Sequence, residues 1–245
     1  SATMDILEQS MRDSLRRGDV ITRCSVSQFL VMLMSADGEN IRKAFERFPQ
    51  VLDFVEMSIL ADHYLERYDD VIDLCDCIIS SEHADTSAIV NAWTTKGDTY
   101  YELKDSKKAF KSYDKALKLD PDKVNILNNY AYFLCEQGKK LKKACEMSAK
   151  TIAAEPDNAT YLDTYGWILY CLGRPQDAKP HFKRAMLYGG KESPVILDHY
   201  AEVLFSLGEY TMARVYWDKA LLINNGEIPD LEERVQRRKQ QMKKD

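Results

Sequence analysis

The side chains that could do chemistry in this sequence are few, and their spacing fits no common reaction. Four histidines occur, His63, His83, His181 and His199, and each is predicted to be a surface or helix-end residue. None shares a predicted helical face with a second metal ligand or a nucleophile. The sequence has no G-x-S-x-G elbow, no H-E-x-x-H motif and no glycine-rich phosphate loop. It therefore predicts no catalytic residue, no metal site and no cofactor.

Cysteines are the other reactive side chains. They are Cys24, Cys75, Cys77, Cys135, Cys145 and Cys171. None forms a C-x-x-C pair or has histidines nearby at zinc-binding spacing. They are predicted to be small buried apolar side chains, with a disulfide between neighbouring helices, through Cys135 and Cys145, as the alternative.

Composition and charge narrow the class of function. The chain has 245 residues, of which 45% are hydrophobic and 30% charged, as in a folded protein. Its 34 basic and 39 acidic residues give a net charge of -5, so no surface that attracts polyphosphate, and no nucleic-acid partner, is expected. Apolar runs such as Phe29 to Met34 are far shorter than the roughly 20 residues that a bilayer requires, so no membrane insertion is expected.

The elements that would position any functional side chain follow an internal repeat. One copy contains Trp93, Gly97, Tyr100, Ala109, Tyr113, Ala116 and Pro121. Small residues recur at two sites in each copy: Gly97, Ala131, Gly166 and Ala201 at the first, and Ala109, Ala144, Ala178 and Ala213 at the second. The intervals are 34 or 35 residues throughout. A small residue at a helix crossing lets two helices approach closely, and a proline such as Pro121 or Pro156 ends one unit, so the pattern predicts stacked helix pairs.

This pattern resembles the tetratricopeptide repeat, W-x2-L-G-x2-Y followed by A-x3-F and a proline. The resemblance implies a mainly α fold, a right-handed α-solenoid of helix hairpins. The expected boundaries are a solenoid over residues 49–225, made of a divergent repeat at 49–85 and repeats at about 90–123, 124–158, 159–193 and 194–226. Residues 227–245, opened by Pro229, are predicted to be a capping helix, and a basic patch for an acidic partner is the alternative.

Residues 1–48 do not fit the repeat. They predict a small α/β element of helix, β-hairpin and helix, with the hairpin formed by Val20 to Cys24 and Gln28 to Met34. The stretch Leu15 to Phe29 resembles a degenerate diguanylate cyclase (GGDEF) half-domain. Ser25-Val26-Ser27-Gln28-Phe29 stands where that family has Gly-Gly-Asp-Glu-Phe, so no cyclase activity is expected. The simpler interpretation is a capping or oligomerising segment whose hairpin edge pairs with a second copy.

In tetratricopeptide proteins the first helix of each pair lines the concave surface, so the resemblance assigns ligand contacts by register. They are Asn91, Thr94, Asp98 and Tyr101 in the first clear repeat, Asn125, Asn128, Tyr132 and Glu136 in the second, Asp163, Trp167 and Tyr170 in the third, and Asp198, Glu202 and Phe205 in the fourth. This peptide-binding groove is aromatic and acidic, which suits an extended, neutral to basic peptide. The family's clamp for chaperone tails needs Lys and Arg at these positions, and they are absent.

The predicted function is therefore a non-enzymatic scaffold that binds a protein or peptide. A structural role as a homo-oligomer and a regulatory fragment of a bacterial signalling protein are the alternatives. The motifs Leu127 to Leu134 and Ala159 to Tyr170 resemble those of bacterial envelope tetratricopeptide proteins, often from Bacteroidetes, over residues 85 to 222. That resemblance implies the periplasm or envelope, and the cytoplasm stays open.

Overall fold

A computed structural model describes residues 52–242, with side chains from Val55 onward. The α/β element predicted for residues 1–48, its GGDEF-like stretch and Cys24 lie outside the described residues. Within 52–242 the chain forms eleven α-helices and one 3-10 helix, and no strand. The helices are α1 Leu52–Tyr64, α2 Tyr68–Ser80, α3 Thr86–Glu102, α4 Ser106–Leu119, α5 Val124–Glu136, α6 Leu141–Ala154, α7 Ala159–Cys171, α8 Pro175–Leu187, α9 Pro194–Ser206, α10 Tyr210–Ile223 and α11 Leu231–Gln241, with the 3-10 helix at Gly190–Glu192.

Successive helices pair into hairpins through short turns. α1 packs on α2, α3 on α4, α5 on α6, α7 on α8 and α9 on α10. The last four hairpins contain the small residues that recur in the sequence. A mainly α array of helix hairpins, as the repeat predicts, is therefore the fold of this chain.

The chain divides after Pro121 into two compact units. Of the described helices, α1 to α4 belong to the first, here unit 1, and α5 to α11 to the second, unit 2. In unit 1, Val71, Leu74 and Ile78 of α2 are among the buried apolar residues. The core of unit 2 runs without a break from α7 through α11.

The helices of a hairpin approach each other through the small residues. Ala109, Ala144, Ala178 and Ala213 are fully buried, as are Ala131 and Ala201. At Gly97 an added Cβ would lie 2.6 Å from the ring of Tyr113, and at Gly166 it would lie 2.7 Å from the ring of Phe182. Both rings are fully buried, so in these two hairpins glycine is required by close packing.

Polar side chains and prolines determine where helices begin. Asn158 caps α7, and its side-chain oxygen accepts from the backbone N–H groups of Thr160 and Tyr161 at 3.1 and 3.3 Å. Asp105 caps α4 in the same manner. Such caps satisfy backbone donors that the first turn leaves without partners. Pro121 and Pro156 lie in exposed turns between hairpins, as the sequence predicts.

The last helix, α11, completes the hydrophobic core of unit 2. It is strongly polar, but Leu231 and Val235 are fully buried in the core that Trp217 of α10 also joins. Burying each of these two aliphatic side chains contributes about 1.5–3 kcal/mol. Glu232, Glu233 and Arg237 of α11 are exposed, whereas Arg234 and Arg238 are half-buried beside the core.

Candidate functional site

The surface to which the resemblance assigns ligands is the face of the first helix of each hairpin. In unit 2 this surface, here called the groove face, consists of Asn125, Asn128, Tyr132 and Glu136 on α5, Asp163, Trp167 and Tyr170 on α7, and Asp198, Glu202 and Phe205 on α9.

A buried acid–base pair joins α7 to α9 at the centre of the groove face. Nδ1 of His199 lies 2.9 Å from a carboxylate oxygen of Asp163, and both side chains are less than one-tenth exposed. Burial lowers the pKa of His199, but the charge of Asp163 and its hydrogen bond raise it more, so the pKa lies above its ordinary value. The pair therefore favours an imidazolium that donates to a carboxylate.

Aromatic rings are stacked above this pair. The indole of Trp167 stacks on the imidazole of His199 at 4.0 Å between ring centroids, with 11° between their planes. The indole of Trp167 also stacks on the ring of Tyr170, with 5.0 Å between the ring centroids and 27° between the planes. The indole N–H donates to Glu136 at 3.2 Å. Trp167 is thus held in place on several sides while remaining partly exposed.

Both carboxylate oxygens of Asp198 accept hydrogen bonds from inside the protein. One of its oxygens accepts from the indole N–H of Trp217 at 3.0 Å, and the other accepts from the guanidinium of Arg234 at 2.7 Å. Because Asp198 is only 3% exposed, it cannot act as a ligand contact for a partner.

Glu202 is paired in the same manner. The guanidinium of Arg238 donates to both of its carboxylate oxygens, at 3.2 and 2.7 Å, in a two-point geometry that is among the stronger ionic contacts. The hydrogen bond to Glu202 also raises the pKa of Arg238. Its guanidinium lies over the ring of Phe205 at 4.8 Å, a cation–π contact.

These contacts repeat at one interval along the chain. Asp163 and His199, Asp198 and Arg234, and Glu202 and Arg238 are each separated by 36 residues. α11 therefore lies beside α9 as α9 lies beside α7, in the place that the first helix of another repeat would occupy. The capping role predicted for α11 stays a prediction, and the structure adds that Arg234 and Arg238 of this helix reach the groove face.

A pocket of about 390 Å³ opens between α7, α9 and α11, and we call it the terminal pocket. Trp167 and Tyr170 of α7 line one side of the pocket, and Glu202 of α9 is also part of the lining. The α11 side is lined by Arg234, Arg237, Arg238 and Gln241. The volume is within the range of about 300–1,000 Å³ typical of ligand sites.

The predicted groove residues thus fall into three groups by exposure. In unit 2, Asn125 and Glu136 are exposed, Tyr132, Trp167, Tyr170 and Phe205 are half-buried, and Asn128, Asp163, Asp198 and Glu202 are buried. In unit 1, Asn91 is exposed, Asp98 and Tyr101 are half-buried, and Thr94 is buried. The prediction of an acidic groove is wrong where it rested on Asp163, Asp198 and Glu202, because internal cations neutralise all three.

Two predictions about reactive side chains also need correction. His199 is a buried mid-helix residue and not a surface residue, since Asp163 and Trp167 enclose it. Among the described cysteines, Cys171 is exposed, and the Cys135–Cys145 disulfide is absent because both thiols are free. Cys135 interacts instead with Cys171, and this interaction raises the pKa of the Cys135 thiol and lowers that of the Cys171 thiol.

Comparison with protein families identifies the repeat. Models described as the tetratricopeptide repeat match residues 90–123 and residues 112–146. Residues 90–146 of this chain therefore contain tetratricopeptide repeats (TPR). A comparison with curated protein sequences found no match.

Three solved structures have a fold similar to that of this chain. The pilus biogenesis factor PilW has a TM-score of 0.62 and 21% identity, with 70% of this chain and 76% of PilW covered. PilF of Pseudomonas aeruginosa has a TM-score of 0.60 and 20% identity over the same shares. The TPR protein TTC0263 of Thermus thermophilus has a TM-score of 0.56 and 19% identity, with 74% and 94% covered.

Within the described part of the chain, residues 52–242, no helix is long and apolar enough to cross a membrane. In the same range no three His, Cys, Asp or Glu side chains are grouped as metal ligands would be.

Proposed function

We propose that this protein is a non-enzymatic scaffold that binds an extended segment of a partner protein on its groove face. The TPR fold is a scaffold for protein–protein contacts, with extended surfaces suited to polypeptide ligands. The observation that carries the proposal is the partly exposed pair of stacked rings, Trp167 and Tyr170, beside the terminal pocket.

The groove face keeps aromatic side chains at the same positions in successive hairpins. Tyr132 and Trp167 are equivalent, as are Tyr170 and Phe205, and all four are half-buried. Rigid aromatic rings provide contact area at small entropic cost, and such residues dominate binding energies at interfaces. The exposed amide of Asn125 can donate to and accept from a peptide backbone.

The partner's charge is a separate question. A neutral to basic peptide was predicted from acidic groove residues, but Asp163, Asp198 and Glu202 are buried and paired, so they give that prediction no support. Asp98 and Glu136 remain partly or fully exposed. A bacterial envelope location stays a proposal that rests on the resemblance over residues 85 to 222.

The test is a selection of random dodecapeptides, each blocked at both ends, on the intact protein, followed by affinity measurements on the enriched sequences. Tyr132→Ala should weaken binding by roughly 10-fold, the loss of about 1.4 kcal/mol expected for an interface aromatic. Leu222→Ala is the matched control, because Leu222 is 83% exposed on α10 and lies outside the groove face.

Two outcomes would contradict the proposal. One is that no peptide is enriched, and the other is that Tyr132→Ala binds enriched peptides as the wild type does. Sedimentation of the free protein over a range of concentrations tests the self-assembly alternative. A mass that increases with concentration and is reduced by Tyr132→Ala would assign the groove face to a second copy of the chain.

A further inference from the structure

The terminal pocket differs in charge from the groove that the sequence predicts. Arg234, Arg237 and Arg238 line it, whereas Glu202 is its one lining carboxylate among the described residues. Carboxylates outside the lining pair with two of these arginines, Asp198 and Asp230 with Arg234 and Glu233 with Arg237. The side chains that line the pocket are therefore mainly cationic, and their guanidinium N–H groups suit an anion better than a lysine or arginine side chain.

Two of the arginines are held in fixed positions. Arg234 is paired with Asp198 and Asp230, and Arg238 is paired with Glu202 and donates to Gln241. A guanidinium carries five N–H donors, and these contacts use two in Arg234 and three in Arg238. Donors are therefore left over to bind an oxygen ligand without breaking the internal pairs.

Arg237 is the cation most available to a partner. Its side chain is 64% exposed, and its contact in the described chain is Glu233, 3.4 Å away and one turn earlier on α11. Exposed pairs of this kind contribute little, so a ligand carboxylate can replace Glu233 at little cost.

We propose that the terminal pocket binds an acidic side chain of the partner, with its carboxylate on the α11 arginines and a neighbouring aromatic side chain on Trp167 and Tyr170. This inference rests on the proposed function of the groove face and specifies the chemistry of its ligand.

The two halves of the pocket also suggest a spacing. In an extended peptide, alternate side chains point to the same side, about 6.5–7 Å apart along the chain. A glutamate followed two residues later by phenylalanine therefore presents its carboxylate and its ring to one surface. The ring fits the aromatic side of the pocket, and the carboxylate fits the cationic side.

The experiment uses the full chain and the blocked heptapeptide acetyl-Gly-Ser-Glu-Ser-Phe-Ser-Gly-amide, whose glutamate carries its sole charge. Binding is followed through the indole N–H signal of Trp167 in ¹H–¹⁵N correlation spectra, with peptide added up to about 10 mM, a range that captures weak binding. The signal is assigned with a Trp167→Phe variant. The peptide should shift it, with saturation.

Matched peptides and variants test the charge. Replacing the glutamate by glutamine should weaken binding by roughly 5- to 10-fold, as expected for loss of a charge-assisted contact at a partly exposed site. Arg237→Gln should weaken binding of the glutamate peptide by a similar factor. Arg214→Gln, at an exposed arginine on α10 that does not line the pocket, should leave the affinity unchanged.

Several outcomes would overturn the inference. They are no shift of the Trp167 signal at the highest peptide concentration, equal affinity for the glutamine peptide, and equal weakening by Arg237→Gln and Arg214→Gln. Binding of peptides with a free C-terminus but not of the blocked one would assign the pocket to a terminal carboxylate instead. If selected dodecapeptides bind and depend on Tyr132 while the glutamate peptide fails, the proposed function stands and the pocket chemistry fails.

Discussion

At the scale of single residues, the groove face contains the buried acid–base pair of Asp163 and His199. Burial lowers the pKa of His199, and Asp163 raises it above the ordinary value. A histidine with a raised folded pKa stabilises the fold fully below its unfolded pKa of about 6.5. That stabilisation is lost as the pH rises through the folded pKa.

We expect Asp163→Asn to lower the pKa of His199, because burial then acts with less opposition. NMR titration of the His199 ring protons measures this. The pKa of His181, which burial lowers and to which Asp163 makes no contribution, should stay unchanged. The stability difference between wild type and Asp163→Asn should be largest below about pH 6.5 and should shrink at higher pH. An unchanged His199 pKa would exclude Asp163 as the cause.

Gly166 makes a second prediction at this scale. Alanine normally stabilises a helix interior by about 0.5–1 kcal/mol relative to glycine. Here its methyl group would lie 2.7 Å from the buried ring of Phe182, so we expect Gly166→Ala to destabilise the protein by about 1–3 kcal/mol. Urea denaturation measures the change. In a Gly166→Ala, Phe182→Leu double variant the loss should be smaller than the sum of the single losses, and simple additivity would show that the ring is not the obstacle.

At the scale of elements, α11 contributes cations to carboxylates of α9. Removing the guanidinium of Arg234 leaves the buried Asp198 with Trp217 as its remaining side-chain donor. We expect Arg234→Gln to cost about 1.5–3 kcal/mol, the range for hydrogen bonds to charged groups. Denaturant unfolding at neutral pH measures it.

Arg237→Gln on the same helix is the control for that change. Its side chain is 64% exposed, so the effect on stability should stay within about 0.5 kcal/mol. An Asp198→Asn, Arg234→Gln double variant should regain part of the loss, because no buried charge then lacks its partner. Equal losses for Arg234→Gln and Arg237→Gln would mean that the buried pair adds nothing to stability.

The sequence predicts the elements of this fold better than it predicts which groove residues are accessible. Recurring small residues such as Gly97 and Ala109 are required by helix crossings inside one hairpin, so their spacing alone predicts the hairpins. Accessibility of Asp163 depends on His199, a residue of the next hairpin, and a register within one repeat does not contain that neighbour.

For the carboxylates of α9, a signal in the sequence does identify the partners, which lie on α11. Reading 36 residues onward from Asp198 and Glu202 gives Arg234 and Arg238. Treating α11 only as a polar cap separates its arginines from the groove. Aligning it with the first helices of the repeats predicts both ion pairs from the sequence. The half-exposed state of Trp167 has no comparable signal, because it depends on how rings and helices pack in three dimensions.

At the scale of the whole molecule, the described helices form two compact units, and a repeat array is stabilised mainly between neighbouring hairpins. The core of unit 2 is continuous through α11 and includes the buried Trp217, Leu231 and Val235. Because these contacts lie within residues 122–245, we expect a fragment of that range to fold by itself, with helical circular dichroism and a cooperative unfolding transition.

The same fragment ending at residue 227 tests the contribution of α11 to that core. Its loss exposes the apolar surface that Leu231 and Val235 cover and leaves Asp198 and Glu202 without their guanidinium partners. Each aliphatic contact contributes about 1.5–3 kcal/mol, and the unpaired carboxylates add to the loss, so the shortened fragment should unfold at much lower denaturant concentration or fail to fold. Equal midpoints for the two fragments would mean that α11 does not stabilise unit 2. Its arginines would then not be held in fixed positions beside the terminal pocket.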